Sequence, residues 1–106
     1  MEYTPRINDN ALAARAAAAG SMVLLKNENN TLPLKAARRI AVIGPMAQNR
    51  LHLLGAWSAH GREEDAVSLF AGLENEYRGR AELLYARGCD FDGEDRSGFR
   101  EAVAAA

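Results

Sequence analysis

Ile40-Ala41-Val42-Ile43 is a continuous apolar run, preceded by Arg38-Arg39 and stopped by Gly44-Pro45. Such a run between charge and a turn predicts a strand buried on both faces, the pattern of a parallel sheet. A second run, Glu82 to Ala86 centred on Leu83-Leu84-Tyr85, is closed by Gly88 and predicts a second strand. Between them, Glu63, Glu64 and Asp65 place negative charge at a helix start, and Val67, Phe70, Leu73, Glu74 and Tyr77 keep helical spacing until Gly79. Ser97 or Asp95 is positioned to cap a third helix through Phe99, Ala102 and Val103.

Strand, helix, strand, helix is the grammar of an α/β fold: here a partial three-layer α/β/α sandwich with a parallel sheet. Only two strands are legible, and a stable doubly wound sheet usually has more. The expectation is a fragment, or a chain that relies on a partner to cover its open strand edges and is prone to self-association when isolated.

The N-terminal part reads as helix from Asn8 to Lys26. Asp9 or Asn10 can accept a first-turn amide hydrogen bond, and Leu12, Ala16, Ala19 and Val23 recur on one narrow face. Asn27-Glu28-Asn29-Asn30 stops it, because Asn competes for backbone hydrogen bonds and tolerates left-handed conformations. Thr31-Leu32-Pro33-Leu34 is expected to be extended, with Pro33 pushing Leu32 out of the helical region. Met46 to Gly61, after the first strand, reads as a loop with a short turn of helix, in a place where loops commonly carry function.

Several classes of function find no support. The net charge is −1 with both signs interspersed, so no basic face offers itself to nucleic acid. No apolar run approaches the roughly 18 residues of a membrane span, and Ala11 to Ala19, broken by Arg15, lacks the basic start and long apolar core of a signal peptide. Cys89 is the single cysteine, expected as a buried or half-buried thiol at a strand end rather than part of a disulfide framework.

Gly44 lacks the following glycines of a dinucleotide-binding loop, which argues against a Rossmann-like nucleotide binder and leaves Gly44-Pro45 as a turn. The acidic run Asp90, Asp92, Glu94 and Asp95 does not follow calcium-loop spacing. His52 and His60, eight positions apart without a nearby Cys, do not make a zinc site and are expected as surface or hydrogen-bonded side chains. No cofactor is expected.

A set of ordered strings rises above this background. Ser21-Met22-Val23-Leu24-Leu25-Lys26-Asn27-Glu28, then Leu32-Pro33-Leu34, then Ile40-Ala41-Val42-Ile43-Gly44-Pro45 are followed by Leu54-Gly55-Ala56-Trp57-Ser58, Ala66-Val67-Ser68-Leu69 and Leu84-Tyr85-Ala86-Arg87-Gly88-Cys89. In order and spacing these resemble the opening part of the C-terminal α/β domain of family 3 glycoside hydrolases of the β-glucosidase type. The resemblance covers about Ala11 to Ala106, with Met1 to Asn10 as the end of a linker from a preceding barrel domain.

The resemblance implies a retaining hydrolase of β-linked glucosides or short β-glycosides, exported to the periplasm or secreted. In it, a (β/α)8-like barrel of the same enzyme supplies the nucleophilic Asp, and the acid/base Glu lies in a loop beyond Ala106. No residue of this chain is therefore assigned to catalysis. Glu28, Glu63, Glu64, Glu74, Glu76, Glu82, Glu94 and Glu101 fit helix-face and cap roles, whereas retaining chemistry needs two carboxyl groups about 5–5.5 Å apart, one with a raised pKa. A non-enzymatic carbohydrate-binding or interaction module of α/β fold is the alternative.

Trp57 is the one candidate for substrate contact. It lies between Gly55 and Gly61 in the loop after a parallel strand, where open sheets usually face ligands. An indole there can stack on the C–H face of a sugar. The reading preferred over stacking is that it packs the loop onto the sheet or onto the barrel.

Overall fold

The computed structural model describes residues 7–34 and 38–106. The chain divides into two units, one running to Pro33 and the other from Leu34 onward. In the first, helix α1 spans Ile7–Ser21. It begins before Asp9 and Asn10, which lie inside its first turn rather than capping it; of the expected linker, residues 1–6 fall outside the described residues.

The helix also stops well before Lys26. Gly20 is a poor helix former, and the Ser21 hydroxyl donates back to the Ala18 carbonyl at 2.9 Å, offering the chain a way out. From Asn10 to Ser21 every side chain is exposed, so nothing in its own unit covers the Ala-lined face among the described residues.

Asn29 and Asn30 adopt φ of 59° and 52°, the left-handed tolerance expected of Asn. Asn27 closes this loop, its Oδ1 accepting from Leu32 N–H at 2.9 Å and its Nδ2 donating to Leu32 O at 2.8 Å. Thr31, expected to be extended, is helical at φ −61° and ψ −36°, and its hydroxyl donates to the Glu28 carbonyl.

The second unit holds the sheet. Strand β1 (Arg39–Ile43) pairs in parallel with β2 (Glu82–Ala86), Ile40 opposite Leu83 and Ile43 opposite Ala86. A parallel pair needs a crossover, and helix α2 (Leu69–Tyr77) supplies it. The α2 residue Phe70 meets Tyr85 edge-on at 5.9 Å, so α2 covers the face carrying Val42 and Tyr85. Helix α3 (Phe99–Ala105) packs against β2 near the other face, where Gly88 lies between the Ile43 and Ala102 side chains. The architecture is α/β with one helix layer on each side of a parallel sheet.

That covering is incomplete. Val42, Ala47, Ala86 and Ala102 are the buried apolar residues, and no large side chain is fully buried among the described residues. Ile43 remains 45% exposed and Ala41 is exposed, so β1 is buried on one face and not on both. On that second face the buried helix residue is Ala102 of α3, beside Gly88 just past the end of β2.

Three start signals read from sequence are reassigned. Glu63, Glu64 and Asp65 form a separate 3-10 turn, followed by extended Ala66 and an exposed Val67. The α2 cap is Ser68, whose buried Oγ accepts from Ala71 N–H at 3.2 Å. Phe70 N–H, another free first-turn donor, goes to the Ala47 carbonyl at 2.8 Å. Asp95 and Ser97 bond to each other instead of to α3, the Asp95 carboxylate accepting from both Ser97 N–H and Oγ–H, and Gly98 takes the cap position without a side-chain bond. Cys89 is exposed, because Gly88 at φ 74° turns the chain out of the sheet one residue earlier.

Candidate functional site

Two loops leave the carboxyl ends of β1 and β2 side by side. Their bases are joined where Gly44 N–H donates to the Ala86 carbonyl at 3.0 Å, and Gly44-Pro45 makes a turn closed by Ala47 N–H on the Gly44 carbonyl at 3.2 Å. This is the position at which open α/β sheets meet ligands.

The first loop carries a 3-10 turn, Leu51–Leu54, within the stretch expected to hold one. Gly55 N–H donates to the His52 carbonyl at 3.3 Å, and Gly61 N–H to the Ser58 carbonyl at 2.6 Å, which pins both sides of the segment bearing Trp57. Ala59 within it holds φ 47°, a left-handed conformation that costs a non-glycine residue of order 1 kcal/mol and is found where surrounding structure imposes it. Trp57 itself is 97% exposed and covers nothing among the described residues. Of the two packing surfaces considered for it, the sheet is not used, and the loop presents the indole outward.

The second loop is polar and internally bonded. Arg87 Nη2 donates to Asp90 Oδ1 at 2.8 Å, and Phe91 N–H to the same oxygen at 2.9 Å. The Phe91 amide and then the Arg87 guanidinium hold the Asp90 carboxyl below its ordinary range. The Ser97 amide and hydroxyl do the same for Asp95. These shifts favour the ionised form, the opposite of what a general acid requires.

His52 and Phe91 join the two loops, with ring centroids 5.1 Å apart at 49°. Asn49 Oδ1 accepts from His52 N–H at 2.8 Å and faces His52 Nδ1 at 3.0 Å. Sequence reasoning set His52 aside as a metal ligand in favour of a surface or hydrogen-bonded side chain, which it is, and did not single out Phe91. A contact between two aperiodic loops leaves no spacing signal; only adjacency of the strand ends brings the rings together. Around this bridge the surface is shallow. Gln48, Asn49, Arg50, Leu51, Glu63 and Glu64 line an open depression of about 470 Å³, and Arg87, Asp90, Asp95, Ser97 and Glu101 border a smaller one of about 180 Å³.

Comparison with known proteins agrees with the α/β fold. The chain is 44% identical over 77 residues to a periplasmic β-glucosidase of Salmonella typhimurium, an alignment covering 73% of this chain and 10% of that protein. It is 38% identical over 94 residues to a β-xylosidase of Formosa agariphila, covering 81% of this chain and 13% of the relative. With the thermostable β-glucosidase B of Acetivibrio thermocellus it shares 36% over 95 residues, covering 88% and 12%. The chain thus spans about one tenth of the length of the relatives it matches. The family model for the glycosyl hydrolase family 3 C-terminal domain matches residues 22–106, and the chain belongs to that family.

Proposed function

We propose that this chain is part of a retaining β-glycoside hydrolase acting on β-linked glucosides or related short β-glycosides, and that it has no turnover by itself. The observation that carries the reading is family membership, with relatives named β-glucosidase and β-xylosidase. The nucleophilic Asp belongs to a (β/α)8-like barrel of the same enzyme, and this domain contributes a loop that faces the sugar. The lowered pKa values of Asp90 and Asp95 argue against either as the catalytic acid, since protonating a leaving group calls for a raised one.

The test compares the isolated chain with the whole enzyme on aryl β-glucoside and aryl β-xyloside. The isolated chain is expected to be inert towards both. Turnover by a preparation free of host enzyme, abolished by a covalent β-glucosidase inhibitor, overturns that expectation. The whole enzyme is expected to release product with retained anomeric configuration, visible by NMR. Sugar binding without turnover would instead identify a binding module.

Trp57 serves in this reading as a platform for a sugar ring, and its outward exposure supports the role. In the whole enzyme, Trp57→Ala should weaken transition-state binding of oligosaccharides by about 1–3 kcal/mol, with a smaller loss for an aryl glucoside. Equal losses on both substrates with a lowered melting temperature would identify Trp57 as packing against the barrel.

A further inference from the structure

We infer that His52 and Phe91 are positioning residues for the loop that carries Trp57, a role that rests on reading Trp57 as a sugar platform. Trp57 is almost fully exposed, so its own side chain cannot fix where the indole points. The constraint must come through the backbone. Gly55, two residues before it, is held by the His52 carbonyl. His52 is in turn held at three points: its amide and Nδ1 on Asn49 Oδ1, and its ring face on Phe91.

Phe91 is itself anchored. Its amide donates to Asp90, Asp90 pairs with Arg87, and Arg87 follows directly on Ala86, the fully buried end of β2. With the Gly44–Ala86 hydrogen bond at the base, the two loops form a closed circuit from the sheet through the ring pair and back. A centroid separation of 5.1 Å lies in the range of interacting aromatic pairs. Yet Phe91 is about half exposed and His52 is exposed, so the pair adds little to the core. What the contact accomplishes is to tie one loop to the other.

The experiment is backbone and indole ¹⁵N relaxation on the whole enzyme with these 106 residues segmentally labelled, as wild type, Phe91→Ala and Phe91→Tyr. The order parameter at Gly55 and Trp57 should lie above about 0.6 in the wild type and fall below it in Phe91→Ala, while β1 and β2 amide shifts stay in place. Phe91→Tyr, which keeps a ring, should restore it. Should Phe91→Ala fail to fold, Asn49→Ala releases the His52 ring with both aromatic groups present and carries the same expectation. Unchanged order at Trp57 with the sheet intact overturns the assignment.

Titration with cellobiose, followed by Trp57 fluorescence in the whole enzyme, separates this from the sugar reading. Loss of order in the variants without any cellobiose response sinks the platform and leaves the positioning role standing. A cellobiose response identical in wild type and Phe91→Ala sinks the positioning role alone.

Discussion

Gly98 and Gly88 touch backbone to backbone where α3 begins against the end of β2, and a Cβ on Gly98 would run into the Gly88 carbonyl oxygen. No flexible side-chain end is there to move aside. Gly98→Ala is therefore expected to destabilise the second unit by about 1–3 kcal/mol, the usual range for overpacking. Faster thermolysin cleavage of the variant chain than of the wild type checks this, and equal rates would show that α3 can shift. Nothing in the sequence marks Gly98 as special, since its constraint comes from a residue ten positions away. Gly88 was legible as a strand stop, and its φ of 74° supplies the reason. Trp57 was legible too, as the lone indole in a loop after a strand, but its near-complete exposure was not, because burial depends on what the fold brings near it.

The elements differ in how much their own residues decide. β2 spans Glu82–Ala86 as read from its apolar run, and β1 adds only Arg39 to the expected four residues. The helices, read from periodicity, were less well bounded. Acidic residues at 63–65 suit a helix start, yet Ser68 wins: its side chain caps Ala71, and tertiary contact with Ala47 takes up the Phe70 amide. Ser68→Ala should accordingly cost about 1 kcal/mol, while Ser68→Thr retains most of the stability. A lowered urea midpoint with unchanged slope for Ala, and a nearly wild-type midpoint for Thr, is the expected denaturation result. If Ala and Thr shift the midpoint equally, the burial of Ser68 matters more than its hydrogen bond.

For the whole molecule, the governing fact is a sheet of two strands, with Val42, Ala47, Ala86 and Ala102 the buried apolar residues among those described. Large apolar side chains in each unit face outward, among them Leu25 at 91%, with Leu51, Val67 and Val103 also exposed. The isolated chain is expected to be marginally stable or to self-associate, since open strand edges and uncovered apolar surface favour both. Sedimentation over a range of concentrations, paired with thermal unfolding, measures it. A monodisperse monomer with a sharp, high-temperature transition would contradict the expectation. By itself the sequence determined the strand positions, their parallel pairing, the turn at Gly44-Pro45 and the family, because apolar runs, breakers and ordered motifs are local in the chain. Only the tertiary structure decided where α2 and α3 start, that Ile43 and Cys89 stay in contact with solvent, and that His52 meets Phe91. Each of those depends on which groups from distant segments arrive to satisfy a free amide, cover a face or accept a ring, and pairing across such distances leaves no periodic trace in the sequence.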